Sequence, residues 1–217
     1  MTWLRRQTLG RVCDISVTIV LLAVLAPLIL LLAAAVLASD GFPIIFRQKR
    51  IGRNGQPFYI YKFRSMRRDG NRGLHITVAN DRRITGVGAW LRRFKLDELP
   101  QLFNVLKGEM SLIGPRPEVP EYVQFDDALW RAVLQARPGI TDLASLAYRD
   151  EEQYLLPAAD PDAYYRTVLL PEKLRLNVAY QESRSLPRDV RLLWLTARYS
   201  LFPRGFDRGR VLRSLGE

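Results

Sequence analysis

Residues 15–38 limit the folds open to this chain of 217 residues more than any other segment. They form a run of 24 residues without a charged side chain, in which Ser16 and Thr18 are the only polar ones. A helix of about 20 apolar residues is long enough to cross the hydrocarbon core of a bilayer. The run is longer than the apolar part of a typical signal peptide, and the three small alanines at 33–35 lie inside it and not after it. We therefore expect this segment to be retained and to lie in a membrane.

How the segment enters the membrane depends on Pro27 and on the charges around the segment. Pro27 lies near the midpoint, where a proline removes a helix hydrogen bond and predicts a break. Basic residues flank both ends: Arg5, Arg6 and Arg11 come before it, and Arg47, Lys49, Arg50 and Arg53 come after it. Because basic flanks stay in the cytoplasm, a spanning helix would leave one of them on the wrong side. A bent, re-entrant helix hairpin satisfies both flanks, and a spanning helix with a tolerated proline is the alternative.

Charge and length suggest the kind of partner and the number of domains. The formal net charge of +11 implies an anionic partner, which could be nucleic acid, an anionic membrane surface or a phosphorylated substrate. The single cysteine, Cys13, excludes an internal disulfide and a cysteine-cluster metal site. The length fits one globular core besides the membrane segment. We expect a basic N-terminus and membrane helix at residues 1–40, and a cytoplasmic domain at residues 41–217.

The first part of that domain has the pattern of a β-hairpin. Two β-rich runs, residues 43–48 and 57–63, are joined by the turn composition of residues 52–55. Lys62 then lies at a strand end. Residues 67–85 are polar and contain glycine, which predicts loops near a site.

Helical patterns follow. Apolar residues recur at spacings of three and four between residues 87 and 106, and Pro100 interrupts them, so that a new helix is expected to start there. Residues 189–202 mix Trp194 and Tyr199 with arginines, which is typical of a helix in the headgroup plane, although the same stripe would serve as a core-packing face.

The strongest chemical signal is the adjacent pair Asp97 and Glu98. Neighbouring carboxylates repel each other, so both stay ionised only beside an arginine or a divalent cation, and Mg²⁺ favours carboxylate oxygens together with phosphate. The pair precedes Pro100, which places it at or just before a helix N-terminus, where anions are favoured. Taken alone, such a pair is more commonly a solvated helix face.

Arg116 supports the functional interpretation. It lies between Pro115 and Pro117, which restrict the backbone and aim the guanidinium group. An aimed guanidinium group suits a phosphate, to which it can donate two parallel hydrogen bonds.

Several motifs, in this order, resemble the bacterial sugar transferase family, the monotopic phosphoglycosyl transferases. The matching features are Arg11 with Asp14, an apolar segment containing Pro27, residues 46–52 (Phe-Arg-Gln-Lys-Arg-Ile-Gly), residues 61–66 (Tyr-Lys-Phe-Arg-Ser-Met), residues 96–101 (Leu-Asp-Glu-Leu-Pro-Gln), residues 111–118 (Ser-Leu-Ile-Gly-Pro-Arg-Pro-Glu) and residues 137–141 (Arg-Pro-Gly-Ile-Thr). The chain has Ala26 before Pro27 where the family often has serine, so a hydroxyl that could bond the freed carbonyl is missing.

The resemblance implies an α+β fold, with a membrane-inserted re-entrant helix hairpin broken at Pro27. It also implies a small cytoplasmic catalytic domain of helices with a short β-hairpin and interfacial amphipathic helices. The implied reaction is transfer of a sugar 1-phosphate from a UDP-sugar to polyprenyl (undecaprenyl) phosphate with release of UMP. The implied location is the cytoplasmic face of the bacterial inner membrane, where the enzyme would contact membrane lipids.

The resemblance also implies roles for individual residues. Asp97 would be the nucleophile that forms a phosphosugar-aspartyl intermediate, and Glu98 would act as base or metal ligand. Both carboxylates would hold Mg²⁺. Arg116 would clamp a phosphate. Three further basic residues would support charge around it: Arg92, Lys62 and Arg64.

Three other functions fit part of the sequence. A membrane-tethered nucleic-acid-binding protein would use the positive charge, but the chain lacks a recognisable binding motif, so we expect no nucleic-acid partner. A Mg²⁺-dependent phosphohydrolase of polyprenyl phosphates would release inorganic phosphate and need no nucleotide sugar. A structural membrane adaptor gives no reason for Asp97, Glu98 and Arg116 together.

Overall fold

The computed structural model describes residues 3–67 and 81–215, so most of the predicted loop at residues 67–85 lies outside the described residues. The helices are α1 Trp3–Asp40, α2 Gly86–Arg93, α3 Gln101–Lys107, α4 Ala128–Val133, α5 Leu143–Ala147, α6 Glu151–Leu155, α7 Pro161–Tyr164, α8 Leu170–Glu182, α9 Leu186–Leu201 and α10 Arg208–Leu215. The strands are β1 Ile45–Ile51, β2 Pro57–Phe63, β3 Ser111–Ile113 and β4 Gly139–Thr141. This mixture of helices and small sheets agrees with the predicted α+β class.

Helix α1 is the membrane candidate. Its part Gly10–Asp40 is 31 residues long and apolar enough to cross a bilayer. The helix continues on both sides of Pro27, so the predicted break into the two helices of a re-entrant hairpin is not confirmed. A proline removes only one backbone hydrogen bond, and apolar helices tolerate it where packing holds the backbone. Leu28 and Ile29, directly after the proline, pack against the domain.

One face of α1 contacts the rest of the chain along its length. Near the start, Arg11 donates from Nη1 to the Val105 carbonyl oxygen at 2.7 Å, and Asp14 Oδ2 accepts from Ser111 Oγ at 2.6 Å. Further along, the packed residues are Leu21, Leu22, Leu28, Ile29, Leu32, Ala33 and Val36. The opposite face exposes large apolar side chains: Val17, Val20, Val24, Leu30 and Leu31. One side of α1 therefore packs against the domain, and the other side exposes apolar side chains.

The described residues form two small sheets. Strands β1 and β2 pair antiparallel, with Ile45 opposite Phe63, which confirms the predicted hairpin. Strands β3 and β4 pair parallel, with Ser111 opposite Gly139. The second sheet was not predicted, because three residues are too few to show a strand period.

Apolar packing fixes the turn that carries the two predicted carboxylates. A 3₁₀ turn, Leu96–Glu98, links α2 to α3. Leu96 and Leu99 pack beside Leu91 of α2, and Leu102 of α3 packs beside Ile60 of β2. Apolar neighbours on both sides fix the turn, and the acidic residues inside it are held in place.

Gly88 of α2 provides a test of this packing. A methyl group on Gly88 would overlap the backbone of Ser65, so Gly88→Ala should lower the free energy of unfolding by roughly 1 to 3 kcal/mol. Gly86→Ala in the same helix is the matched control, because nothing lies within 4 Å of the added methyl group. Chemical denaturation in detergent measures both variants. Equal stabilities of the two would contradict the close contact between α2 and Ser65.

Candidate active site

The turn Leu96–Glu98 buries both predicted acidic residues. Lys95 precedes it in a left-handed backbone conformation, with φ of 56°, which turns the chain out of α2. Asp97 is 6% exposed and Glu98 is 8% exposed. The predicted position of the pair, just before a helix that starts after Pro100, is confirmed. The alternative of a solvated helix face is excluded.

Glu98 is held between two cations. Its Oε1 accepts from Lys62 Nζ at 2.8 Å and from Arg116 Nη2 at 2.7 Å. Arg116 Nη1 lies 3.4 Å from Oε2. Burial alone would raise the pKa of Glu98, but the charges of Arg116 and Lys62 outweigh it and hold the pKa well below its usual range. Glu98 is therefore ionised.

Asp97 is in a different electrostatic environment. Its Oδ1 is buried and has no hydrogen-bond partner among the described residues. Burial raises the pKa of Asp97, and the charge of Lys62 opposes this effect. Buried carboxylate oxygens are nearly always hydrogen-bonded, so an unpartnered one marks a functional candidate. The missing partner makes Oδ1 a candidate to bind a cation or to attack an electrophile.

The two cations come from distant parts of the chain. Lys62 lies near the end of β2, and burial lowers its pKa while Glu98 opposes that shift. Arg116 follows β3, and Glu98 raises its pKa despite burial. The side chain of Arg116 is 28% exposed, so part of the guanidinium group still faces solvent. Two buried carboxylates and two cations thus form one compact cluster.

Arg64 and Arg92 lie outside that cluster. Arg64 donates from Nη2 to the backbone oxygens of Asp40 and Gly41, the latter at 2.7 Å, at the C-terminal end of α1. This end of a helix has free carbonyl groups and favours cations. Arg92 forms an ion pair with Glu152 of α6. The predicted role of both arginines in phosphate binding stays a prediction.

The cluster fits the predicted Mg²⁺ ligands. No group of three or more His, Cys, Asp or Glu residues that could hold a metal ion occurs in the described part of the chain. Mg²⁺ commonly uses one or two carboxylates and takes its other oxygens from water and substrate phosphates. Oδ1 of Asp97 has no partner within residues 3–67 and 81–215, and Oε2 of Glu98 has only the 3.4 Å contact. These two oxygens would hold the ion, and the predicted Mg²⁺ site stays a prediction.

Sequence reasoning missed a second set of ionisable residues, some buried and some partly buried, whose charges act on Arg116. Its members are Arg50, Glu118, Glu151, Tyr165 and Lys173. Arg50 and Glu118 lie in motifs quoted above, but Lys173 and Tyr165 lie in a helical stretch whose pattern gave no sign of a buried charge. Only contacts between distant parts of the chain bring them together.

The family model described as bacterial sugar transferase matches residues 5–203. The chain belongs to the bacterial sugar transferase family. Asp97, Glu98, Lys62 and Arg116 all lie within the matched part of the chain.

Relatives within the bacterial sugar transferase family carry informative names. One is the undecaprenyl-phosphate glucose phosphotransferase of Komagataeibacter xylinus, 35% identical over 89% of this chain and 36% of the relative. Another is the UDP-glucose:undecaprenyl-phosphate glucose-1-phosphate transferase of Xanthomonas campestris pv. campestris, 38% identical over 85% of this chain and 37% of the relative. The chain thus spans little more than a third of the length of these two. The uncharacterized sugar transferase EpsL of Bacillus subtilis is 33% identical over 92% of this chain and 90% of the relative.

Proposed function

We propose that this chain transfers a sugar 1-phosphate from a UDP-sugar to undecaprenyl phosphate, through a phosphosugar-aspartyl intermediate on Asp97. The product would be the lipid on which a glycan is assembled. The observation that carries the proposal is the buried Oδ1 of Asp97, which lacks a partner in the described part of the chain and lies beside Glu98 and its two cations. The names of two relatives, which refer to undecaprenyl phosphate and to a glucose phosphate group, support the substrate class.

The reaction has two displacements at one phosphorus atom. A carboxylate oxygen of Asp97 attacks the sugar-proximal phosphorus of the donor, the bond to the bridging oxygen breaks, and UMP leaves with the electron pair. A phosphate oxygen of undecaprenyl phosphate then attacks the same phosphorus. The bond to Asp97 breaks, which restores the carboxylate and yields undecaprenyl diphosphate sugar.

Charge complementarity supports these steps. Lys62 and Arg116 neutralise the two carboxylates, so that an anionic diphosphate can approach a site that already contains two acidic residues. The exposed part of the Arg116 guanidinium group can meet a donor phosphate. Bound Mg²⁺, held by Asp97 and Glu98, would supply additional positive charge at the diphosphate.

The contacts of α1 support a re-entrant or monotopic insertion from the cytoplasmic side. Arg11 and Asp14 bind the domain near the start of α1, and Arg64 binds its last carbonyls. Two ends that contact one polar domain cannot lie on opposite sides of a bilayer while the domain stays in water. We therefore propose that the domain lies at the cytoplasmic face of the inner membrane and that the exposed apolar face of α1 enters the lipid.

Helix α9 supports the same orientation. It exposes Leu186, Val190 and Trp194, while Leu192 and Leu195 pack inward. Apolar side chains exposed on a helix that also carries arginines suit the headgroup region. We propose that α9 lies in the membrane interface, where it would place the site within reach of a lipid-borne phosphate.

The proposed orientation predicts a labelling pattern. Cys13, the native cysteine, is exposed at the start of α1, and Ser39 is exposed near its end. In intact spheroplasts a membrane-impermeant maleimide should modify neither Cys13 nor, in a Cys13→Ser background, Ser39→Cys. Both should react after permeabilisation. Labelling of either position in intact spheroplasts would show that α1 spans the bilayer.

Intact mass tests the proposed chemistry. The protein, held in nanodiscs with Mg²⁺, is mixed with each of several UDP-sugars in the absence of a lipid acceptor. We expect a mass increase equal to one sugar phosphate, with release of an equal amount of UMP, and loss of the added mass when undecaprenyl phosphate is supplied. Release of inorganic phosphate from undecaprenyl phosphate without a nucleotide sugar would instead indicate a phosphohydrolase.

A further inference from the structure

The backbone next to Arg116 is hydrogen-bonded to β1. The Ile51 amide donates to the Glu118 carbonyl oxygen at 2.9 Å. Arg50 Nη1 donates to the Pro117 carbonyl oxygen at 3.1 Å. The two residues that follow Arg116 are thus tied to the hairpin.

The side chain of Glu118 adds a third attachment. It is buried, with 6% exposure, and its Oε1 accepts from the Tyr165 hydroxyl at 2.7 Å. Its Oε2 lies 3.4 Å from Arg50 Nη1. Burial and the nearby Glu118 charge raise the pKa of Tyr165 well above its usual range, so the hydroxyl keeps the proton that it donates.

Lys173 lies behind Tyr165 and is almost fully buried, with 3% exposure. Its Nζ lies 2.8 Å from Glu151 Oε2 and 3.4 Å from the Tyr165 hydroxyl. Burial alone would lower the pKa of Lys173, but the charge of Glu151 and the other acidic neighbours outweigh it and raise the pKa. Glu118, Tyr165, Lys173 and Glu151 therefore form one continuous chain of hydrogen bonds.

Two further observations connect this chain of hydrogen bonds to the site. The charge of Glu98 raises the pKa of the Arg116 guanidinium group most, and the charges of Glu151 and Glu118 add to that shift. A π-helical turn, Tyr165–Leu169, joins α7 to α8 and begins at the tyrosine of the network. Because this turn lies between Tyr165 and Lys173, it sets the relative direction of their side chains, and such turns frequently occur at functional sites.

Stability alone does not explain the network. Removing a lysine and a glutamate from water costs several kcal/mol per ion, and well-packed apolar residues of similar volume are often as stable or more stable. Apolar residues in place of the ion pair would not fix the position of the Glu118 carboxylate, which lies two residues after Arg116.

We propose that Lys173 and Tyr165 are positioning residues for Arg116: they hold Glu118, and through it residues 115–118, so that the guanidinium group meets the donor phosphate in the geometry of the transition state. This inference rests on the proposed function. It assigns a role in sugar-phosphate transfer to two residues of the α7–α8 helical stretch that do not touch the substrate.

A double-mutant cycle tests the inference. Lys173→Met removes the charge and keeps a long side chain, and it should lower kcat roughly tenfold while the donor KM changes by less than about threefold. In an Arg116→Ala background the same substitution should lower kcat by less than about twofold, because its effect acts through Arg116. Arg175→Met is the matched control, since Arg175 is exposed on the same helix α8, and it should leave kcat unchanged.

Tyr165→Phe provides a second arm that preserves the ring and its packing. It should lower kcat by roughly threefold or more in the wild-type background and show the same loss of effect without Arg116. If Lys173→Met does not fold, Tyr165→Phe still tests whether the network positions Arg116. If each double variant loses kcat by the product of the two single losses, Lys173 and Tyr165 act independently of Arg116. That result would overturn this inference but leave the proposed function intact. A wild-type chain that transfers no sugar phosphate would overturn the proposed function together with it.

Discussion

Replacing Asp97 by asparagine should reduce sugar-phosphate transfer by at least about a thousandfold. An amide oxygen has almost the shape of the carboxylate oxygen but cannot displace UMP to form a stable acyl phosphate. The mass increase with a UDP-sugar and the release of UMP should both disappear. Initial rates of UMP release and intact mass, measured on the same preparation, check this expectation.

The folded structure of this variant should be preserved. Burial raises the pKa of Asp97, which means that its ionised form is less favourable in the folded protein than in the unfolded chain. A neutral amide avoids that cost, so Asp97→Asn should unfold at the same temperature as the wild type or at a higher one. Asp126→Asn, at an exposed position, is the matched control and should keep full activity. Retained transfer by Asp97→Asn would remove Asp97 as the nucleophile.

The elements around the carboxylate pair were predictable because short-range patterns determine them. The hairpin follows from two β-rich runs around a glycine turn. The position of Asp97 and Glu98 before a helix follows from Pro100, which cannot continue a preceding helix without loss of a hydrogen bond.

Other features depend on tertiary contacts that a local pattern does not contain. Pro27 normally predicts a helix break, but here α1 packs on both sides of it and stays helical. The parallel pair of β3 and β4 depends on a long connection, and neither strand shows a period in three residues. Arg64 was expected near a phosphate, yet its nearest partners are backbone oxygens at the end of α1.

The distribution of charge within the cluster was only partly predictable. The sequence indicated that an arginine or a cation must lie between Asp97 and Glu98. The structure instead gives Glu98 both cations, Lys62 and Arg116, and leaves one oxygen of Asp97 without a partner in the described part of the chain. Two adjacent carboxylates thereby acquire different properties, which residue type and spacing alone do not reveal.

Because the two carboxylates differ in this way, Glu98→Gln should lower the stability of the fold, whereas Asp97→Asn should preserve or raise it. Removing one partner of a buried ion pair leaves uncompensated charge, here on Lys62 and Arg116, so the free energy of unfolding should fall by about 2 to 4 kcal/mol. Transfer should fall by roughly a hundredfold to a thousandfold, because both cations lose the group that orients them.

The pH dependence of stability separates this explanation from a simple packing defect. The pKa of Glu98 is held well below 4.5, so its ionised form stabilises the fold at neutral pH, and that contribution is lost as the pH falls below 4.5 and through the lowered value. The difference in unfolding free energy between wild type and Glu98→Gln should therefore be largest near pH 7 and shrink in acid. A packing defect would give a difference that does not vary with pH. Asp97→Asn and Glu98→Gln exchange the same atoms at neighbouring positions. Opposite signs of their stability changes would therefore reflect the different surroundings of the two carboxylates: Glu98 is paired with Lys62 and Arg116, and Asp97 has one oxygen without a partner in the described part of the chain.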